Sequence, residues 1–478
     1  MFPVNPESHD IDPPSNDAEA SARDPSEQSQ AVLGGENIAE AQEAHRQAMR
    51  DADDSMIVRQ ADFDRYCDHL SRCATIAFDT EFVSEDCHRP DLCLIQVATA
   101  GGMAVIDPKM LDDVERFWEI IVDGDHETVV HAGREEMRFC LFSTGRLPKR
   151  LFDVQLAAGF IGLEYPGAYR TLVHRLMQRE LAKEETRTNW RHRPLNDAQI
   201  SYALLDVEYL IPMRERLGAR LVELGRDGWC DAETRSWAEG VQRAETQDPW
   251  RRVSGATNLD ARGLAIVREL WQWREELAIR RNSPARRVLR DDLIIELAKR
   301  GSSSLQRIKS VRGLERSDLK RHLEDIANRI GDALAMPRED WPEPQRPMSI
   351  GPPLSLLVQF LQTALGCLCR DQQIAPPIVA TSQDLREFVA YRLGLADTLQ
   401  AEDVALMQGW RHELVAQPLE HLMRGEWSIG VENPLADQPL RLVGPGADDQ
   451  LQSVPESFQR PKSPRRGGPR RRRRDGKK

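Results

Sequence analysis

At 478 residues, with 40% hydrophobic and 30% charged positions, the chain has the makeup of a globular protein of about three domains, not of a fibre or a wholly disordered polymer. The net charge of −12 averages two opposite ends: residues 1–55 hold 13 Asp/Glu against 3 Arg, and residues 460–478 hold 11 Lys/Arg against one Asp. No uninterrupted apolar run approaches the roughly 20 residues of a membrane span. The N-terminus lacks a basic-then-apolar leader, and the eight cysteines form no Cys-x-x-Cys pair. A membrane protein, a secreted disulfide scaffold and a structural zinc site are therefore not expected; a cytoplasmic location with reduced thiols is.

Residues 1–55, rich in Ser, Pro, Ala and acids, read as a disordered acidic segment. In the first domain, 56–245, short apolar runs alternate with helical patterns from 56 to about 165. Cys73–Phe82, Asp91–Ala100, Met103–Asp107 and Thr128–Ala132 read as strands, the first three as a meander, with helices at Asp112–Val122 and Arg134–Ser143. A sheet with flanking helices is an α/β layer fold. Past 166 the pattern turns helical, and Ile200, Ala203, Leu204, Val207, Leu210 and Ile211 make one 3.6-period stripe. Residues 257–337 form an all-helical block, mildly basic, since positions 259–335 carry 17 Lys/Arg against 12 Asp/Glu. A proline-rich linker at 338–353 leads to a second helical domain at 354–435. The tail at 446–478 reads as disordered, and Arg470–Arg474 within it suits polyanion contact.

Chemistry concentrates in four blocks. The apolar run Ile76-Ala77-Phe78 ends in Asp79-Thr80-Glu81, and on a strand Asp79 and Glu81 share a face. His131 precedes Glu135 and Glu136; Leu151-Phe152 precedes Asp153; Tyr202 and Asp206 stand four apart on a helix and also share a face. Carboxylates converging from separate elements suit hard divalent cations. Two such ions about 3.5–4 Å apart clamp both oxygens of a phosphodiester displacement. Blander readings hold for several neighbours. Asp153 reads as a helix cap, His131 as strand-end packing, Trp271 and Trp273 as core, and Cys367-x-Cys369 as helix-face packing. Gln96 reads equally as a partner for substrate or for the sheet. Lys183, Arg187 and Trp190, a cation–aromatic group ahead of Tyr202, suit phosphate contact and base stacking.

In this order the blocks resemble the DEDD exonuclease superfamily, in the branch marked by Tyr202-x-x-x-Asp206. Leu92-Cys93-Leu94-Ile95-Gln96-Val97-Ala98-Thr99, Arg187-Thr188-Asn189-Trp190 and Arg193-Pro194-Leu195 resemble ribonuclease D. Arg287-Val288-Leu289-Arg290-Asp291 resembles its helicase-and-RNase-D C-terminal (HRDC) domain, and Gly409-Trp410-Arg411 a second, divergent one. The resemblance implies a ribonuclease H-like mixed sheet with flanking helices, followed by two all-α HRDC-like domains. It implies 3′→5′ hydrolysis of single-stranded RNA 3′ ends, with tRNA precursor trimming as the typical role and nucleoside 5′-monophosphates released. Catalysis falls to Asp79, Glu81, Glu136, Tyr202 and Asp206, and two ions, Mg²⁺ or Mn²⁺, to Asp79, Glu81, Glu136 and Asp206. Substrate contacts are assigned to Gln96, His131, Lys183, Arg187 and Trp190. Two positions depart from the family: Glu136 and Asn189 each stand where aspartate is usual. The longer Glu136 side chain bears on geometry because Mg²⁺ demands a near-ideal octahedron. A DNA 3′→5′ exonuclease and a catalytically weakened RNA-binding scaffold are the alternatives.

Overall fold

The computed structural model describes residues 56–181, 188–344, 352–396, 399–436 and 438–444. The first unit is built on six strands: β1 (Met56–Ile57), β2 (Thr75–Val83), β3 (Asp91–Thr99), β4 (Gly102–Ile106), β5 (Glu127–Val130) and β6 (Leu151–Asp153), in the order β1-β4-β3-β2-β5-β6. β2, β3 and β4 form the expected antiparallel meander. β1, β5 and β6 join it in parallel. The sequence pattern shows neither β1 nor β6, because two and three residues are too few to display a period.

Alternation along β2 decides what each face does. Ile76 and Phe78 enter a core with Phe117, Trp118 and Met137, from helices α1 (Gln60–Leu70), α2 (Glu115–Asp123) and α3 (Arg134–Thr144) on that side. Phe78 meets Phe117 and Trp118 edge-on, with ring centroids 5.6 and 6.1 Å apart. Ala77, Asp79 and Glu81 are thereby turned to the other face. There α4 (Val154–Phe160), α5 (Tyr169–Met177), α6 (Asp197–Glu208) and α7 (Leu210–Glu223) gather. Ala77 pairs with Ala98, two small residues buried in the same cluster as Val207, Leu210 and Met213. The stripe from Ile200 to Ile211 is not one helix. It breaks at Tyr209 between α6 and α7.

The 20-residue helix α8 (Asp227–Thr246) leads to a helical domain with α9 (Ala261–Arg281), α10 (Asp291–Arg300) and α11 (Leu323–Ala335). Its core is its own and reaches back to Trp250, Val253 and Ala256, ahead of the boundary expected at 257. Trp273 is buried in it and Trp271 packs against it, so both are core residues as expected. Toward the sheet unit it offers polar contacts: the His88 backbone N–H donates to Asn282 Oδ1 at 3.2 Å, and His88 Nδ1 lies 3.8 Å from Glu275.

The helices after Pro352 behave differently. α12 (Pro352–Asp371), α13 (Ser382–Arg392) and α14 (Gln417–Met423) share one continuous core with Val129, Phe152, Leu156 and Phe160 of the sheet unit. Arg226 ties the two together, its guanidinium donating to the carbonyls of Phe160 (2.7 Å), Gln373 (2.9 Å) and Gln372. Trp410 stacks on Trp229 at 5.2 Å and meets Phe160 edge-on at 5.4 Å. Arg411 donates to the Val379 and Ile378 carbonyls at 2.8 and 2.7 Å and pairs with Glu233 at 2.6 Å. The chain from Ala401 makes two 3₁₀ turns, then runs helically from Gly409, at φ +49°, to Met423 through a π-helical stretch at His412–Ala416. A hairpin of β7 (Ser428–Val431) and β8 (Leu440–Val443) closes the region. Pro353–Asp371 is long and apolar enough to cross a membrane by length and composition alone. Here Val358, Leu361, Ala364, Leu365 and Cys369 on that helix are buried in the shared core. Cys367 is buried too, so the Cys367-x-Cys369 pair packs as expected.

Candidate catalytic site

Asp79 and Glu81 emerge from β2 on the face toward α6, and a bulge between Glu81 and Phe82 shifts the β2–β3 register there. Burial raises the Asp79 carboxyl above its usual range. Glu81 is pushed up to about 8, by burial first and then by the charge of Asp79. Glu136 arrives from the first turn of α3 and is only 5% exposed. The Thr80 hydroxyl donates to its Oε1 at 2.6 Å. Glu136 is raised well above the glutamate range by burial and by Asp79, with which it shares a hydrogen bond. Thr80 was not singled out in the sequence. The signal was available: period two puts it on the face opposite Asp79, toward α3.

Asp153 explains how that turn is held. Its carboxylate accepts from Gln155 N (2.8 Å) and Leu156 N (3.3 Å), capping α4 as expected. It also accepts from Ala132 N (3.2 Å) and Gly133 N (3.0 Å), fixing the loop that starts α3, where Ala132 stands at φ +53°. Glu135 faces away and pairs with Arg138 at 2.7 Å, so Glu136 alone is turned to the site.

Tyr202 and Asp206 come from α6. That helix begins with a capping box in which Asn196 accepts from Gln199 N at 2.9 Å and Gln199 accepts from Asn196 N at 3.0 Å. Burial, then Asp206, Glu81 and Asp79, push the Tyr202 phenol up, and it hydrogen-bonds Asp206. With the carboxylates bare of metal, Tyr202 therefore keeps its proton.

The expected substrate residues divide. Gln96 lies opposite Asp79 in the β2–β3 ladder, fully buried, and neither atom of its amide has a partner. His131 Nε2 donates to the Gly167 carbonyl at 2.9 Å, and its ring meets Tyr169 at 5.5 Å, which favours the packing role. Trp190 corrects an expectation. It is 7% exposed, packed with Cys93, Leu94, Ile200 and Leu204 and 6.1 Å from the Tyr202 ring, so its faces are not open to a base. Beside it Arg193 grips Asp107 at 2.6 and 2.8 Å and donates to the Trp190 and Cys93 carbonyls. Lys183 and Arg187 lie outside the described residues.

A 3′-5′ exonuclease family model matches residues 55–222, and an HRDC domain model matches 263–330. The ribonuclease D of Sphingobium indicum is 32% identical over 378 residues, covering 77% of this chain and 94% of the relative. The chain belongs to the ribonuclease D family. Ribonuclease D of Acidiphilium cryptum is also 32% identical, covering 76% of this chain and 91% of its own. The crystal structure of Escherichia coli RNase D, described as an exoribonuclease involved in structured RNA processing, superposes with a TM-score of 0.66. It is 26% identical, with 77% of this chain and 98% of that one covered. The mixed-sheet exonuclease unit followed by a helical HRDC region, and the 3′–5′ exoribonuclease reaction expected from the sequence, thus stand; a second HRDC domain is not matched.

Members of this exonuclease family work with divalent metal ions. The donors present fit such ions: Asp79, Glu81, Glu136 and Asp206 offer only oxygen, and burial, joined at Glu81 and Glu136 by the charge of Asp79, raises carboxyl pKa values that a cation would lower. Among the described residues, no three His, Cys, Asp or Glu side chains already stand in ligating geometry. Glu136 is held by Thr80 and Asp79, and Asp206 by Tyr202. A metal held by these groups would exchange those internal hydrogen bonds for coordination.

Proposed function

We propose that the chain trims the 3′ ends of single-stranded RNA tails on structured precursors, tRNA precursors among them, in the cytoplasm. Asp79, Glu81, Glu136 and Asp206 hold two Mg²⁺ or Mn²⁺ ions in this reading. The observation that carries it is the convergence of these carboxylates, with Tyr202, at the end of β2, Asp206 and Tyr202 coming from α6 and Glu136 from α3 on the opposite side of the sheet. Divalent ions, when bound, supply a hydroxide at neutral pH and neutralise the phosphodiester. The protein's part is placement. Tyr202 keeps its proton, so it orients the attacking water by hydrogen bonding and does not deprotonate it. The Gln96 amide, buried and unpartnered, is available to a water or a nucleotide oxygen beside Asp79. Attack on phosphorus breaks the bond to the preceding 3′ oxygen, which takes a proton, and a nucleoside 5′-monophosphate leaves. The boundaries 56–245 and 257–337 belong to the same reading, the second with a core that reaches back to Trp250, and so does an HRDC-like ancestry for 354–435, whose apolar faces share the nuclease core.

The test is an end-labelled assay on matched RNA and DNA oligonucleotides with Mg²⁺ or Mn²⁺. Stepwise RNA shortening is expected, and Asp79→Ala should reduce it by at least about a thousandfold, the scale of several kcal/mol of lost charge stabilisation. Equal or faster shortening of DNA would replace the RNA reading, and binding without cleavage would support the scaffold.

A further inference from the structure

The break between α6 and α7 has a physical agent. In an uninterrupted helix the Tyr209 N–H would donate to the Leu205 carbonyl four residues back. Instead the Tyr169 hydroxyl, from the first residue of α5, stands between them. It donates to the Leu205 carbonyl at 3.0 Å and accepts from Tyr209 N at 3.1 Å. A side chain inserted into the i→i−4 ladder is one of the few causes of a sharp helix break. The next residue after Leu205 is Asp206. The apolar stripe alone would carry α6 straight into α7, since Val207 and Leu210 both bury in the same core.

The other side of the Tyr169 ring reaches the second catalytic block. It meets the His131 ring at 5.5 Å with planes 69° apart, and His131 is in turn fixed to the Gly167 carbonyl. The hydroxyl itself is held unionised by burial, and Asp206, Glu208 and Asp79 are all close enough to add to that effect. One phenol thus touches the element carrying Asp206 and the loop leading to Glu136.

We propose that Tyr169 is a positioning residue for the metal site: its hydroxyl, by replacing the Leu205–Tyr209 hydrogen bond, sets the direction in which α6 presents Asp206. This rests on the reading of Asp206 as a metal ligand. Partners of metal ligands are worth about 10–100-fold in affinity or activity. In Tyr169→Phe the ring still packs on His131 while the bridge is lost, and the Leu205 and Tyr209 groups can pair directly.

The experiment uses the full chain and compares Tyr169→Phe, Asp206→Ala and Tyr66→Phe. Tyr66 supplies the control because its buried hydroxyl has no hydrogen-bond partner. Mn²⁺ binding is read by electron paramagnetic resonance without RNA, and kcat and KM separately with RNA. Tyr169→Phe should weaken Mn²⁺ binding and lower kcat by about tenfold, with KM for RNA and the melting temperature close to the parent and Tyr66→Phe unchanged. Unaltered Mn²⁺ affinity and kcat in Tyr169→Phe, with Asp206→Ala defective, would overturn the positioning role. Loss of the folded state in Tyr169→Phe alone would also overturn it, in favour of a general structural need. Normal Mn²⁺ binding in Asp206→Ala would instead overturn the reading of the site itself.

Discussion

The HRDC domain matched at 263–330 closes its apolar residues into a core of its own and meets the nuclease through groups such as His88, Asn282 and Glu275. The helices after Pro352 send Leu361, Leu365, Phe388 and Leu419 into the core that also holds Phe152, Phe160 and Val207. Both regions look alike as helical patterns in sequence. What separates them is where the apolar faces land: the first is a module beside the nuclease, the second is part of the nuclease body.

The largest expected effect tests that distinction directly. Trp410→Ala removes the ring that stacks on Trp229 and touches Phe160. It should cost about 3–5 kcal/mol, read by calorimetry in the transition of the nuclease unit. Ile326→Ala in the HRDC core should cost about 2–5 kcal/mol in a different transition. If both variants shift one common transition, the two regions are not energetically distinct.

A pH series sharpens the comparison. Glu81 ionises near 4.5 when unfolded and near 8 in the folded, metal-free protein. Between those values the folded state holds the extra proton, so stability falls as pH rises and levels off above about 8. Glu81→Gln should flatten part of that fall in the nuclease transition and leave the HRDC transition unmoved, as calorimetry in EDTA would record. A parent protein whose nuclease transition is flat across the window would contradict the buried carboxylate arrangement.

The smallest effect is expected at the contact between the modules. Asn282→Gly deletes the acceptor for the His88 N–H, an exposed hydrogen bond, while keeping the left-handed C-cap at φ +43°, and should move either transition by no more than about 1 kcal/mol. A larger loss would mean that the HRDC domain leans on the nuclease for its stability.

Period alone made much of the site legible. Asp79 and Glu81 follow from a two-residue alternation anchored by Ile76 and Phe78, and Tyr202 and Asp206 from a four-residue helical spacing. Asp153 was legible as a cap for the helix after it. Its second pair of bonds was not, because Ala132 and Gly133 lie some twenty residues upstream. The break at Tyr209 was invisible because the apolar stripe runs through it, and only Tyr169, forty residues earlier, interrupts the backbone ladder. Trp190 reads the same in sequence whether it packs inward or faces a base; the Arg193–Asp107 grip beside it is a long-range contact. The merging of the second helical region with the nuclease escaped for a related reason. A helical period says that a face is buried, not against what.

Asp153 has one further consequence. Two helices that point to different duties begin at a single carboxylate: α3, whose first turn holds Glu136, and α4, whose last residue Phe160 receives Arg226 and Trp410. No separate cap insulates one start from the other. A shift of the Pro352–Met423 helices against Phe160 therefore has a seven-residue lever, α4, leading to the same two oxygens that seat the catalytic turn. The layer of helices after Pro352 and the start of the helix that carries Glu136 thus share one anchor.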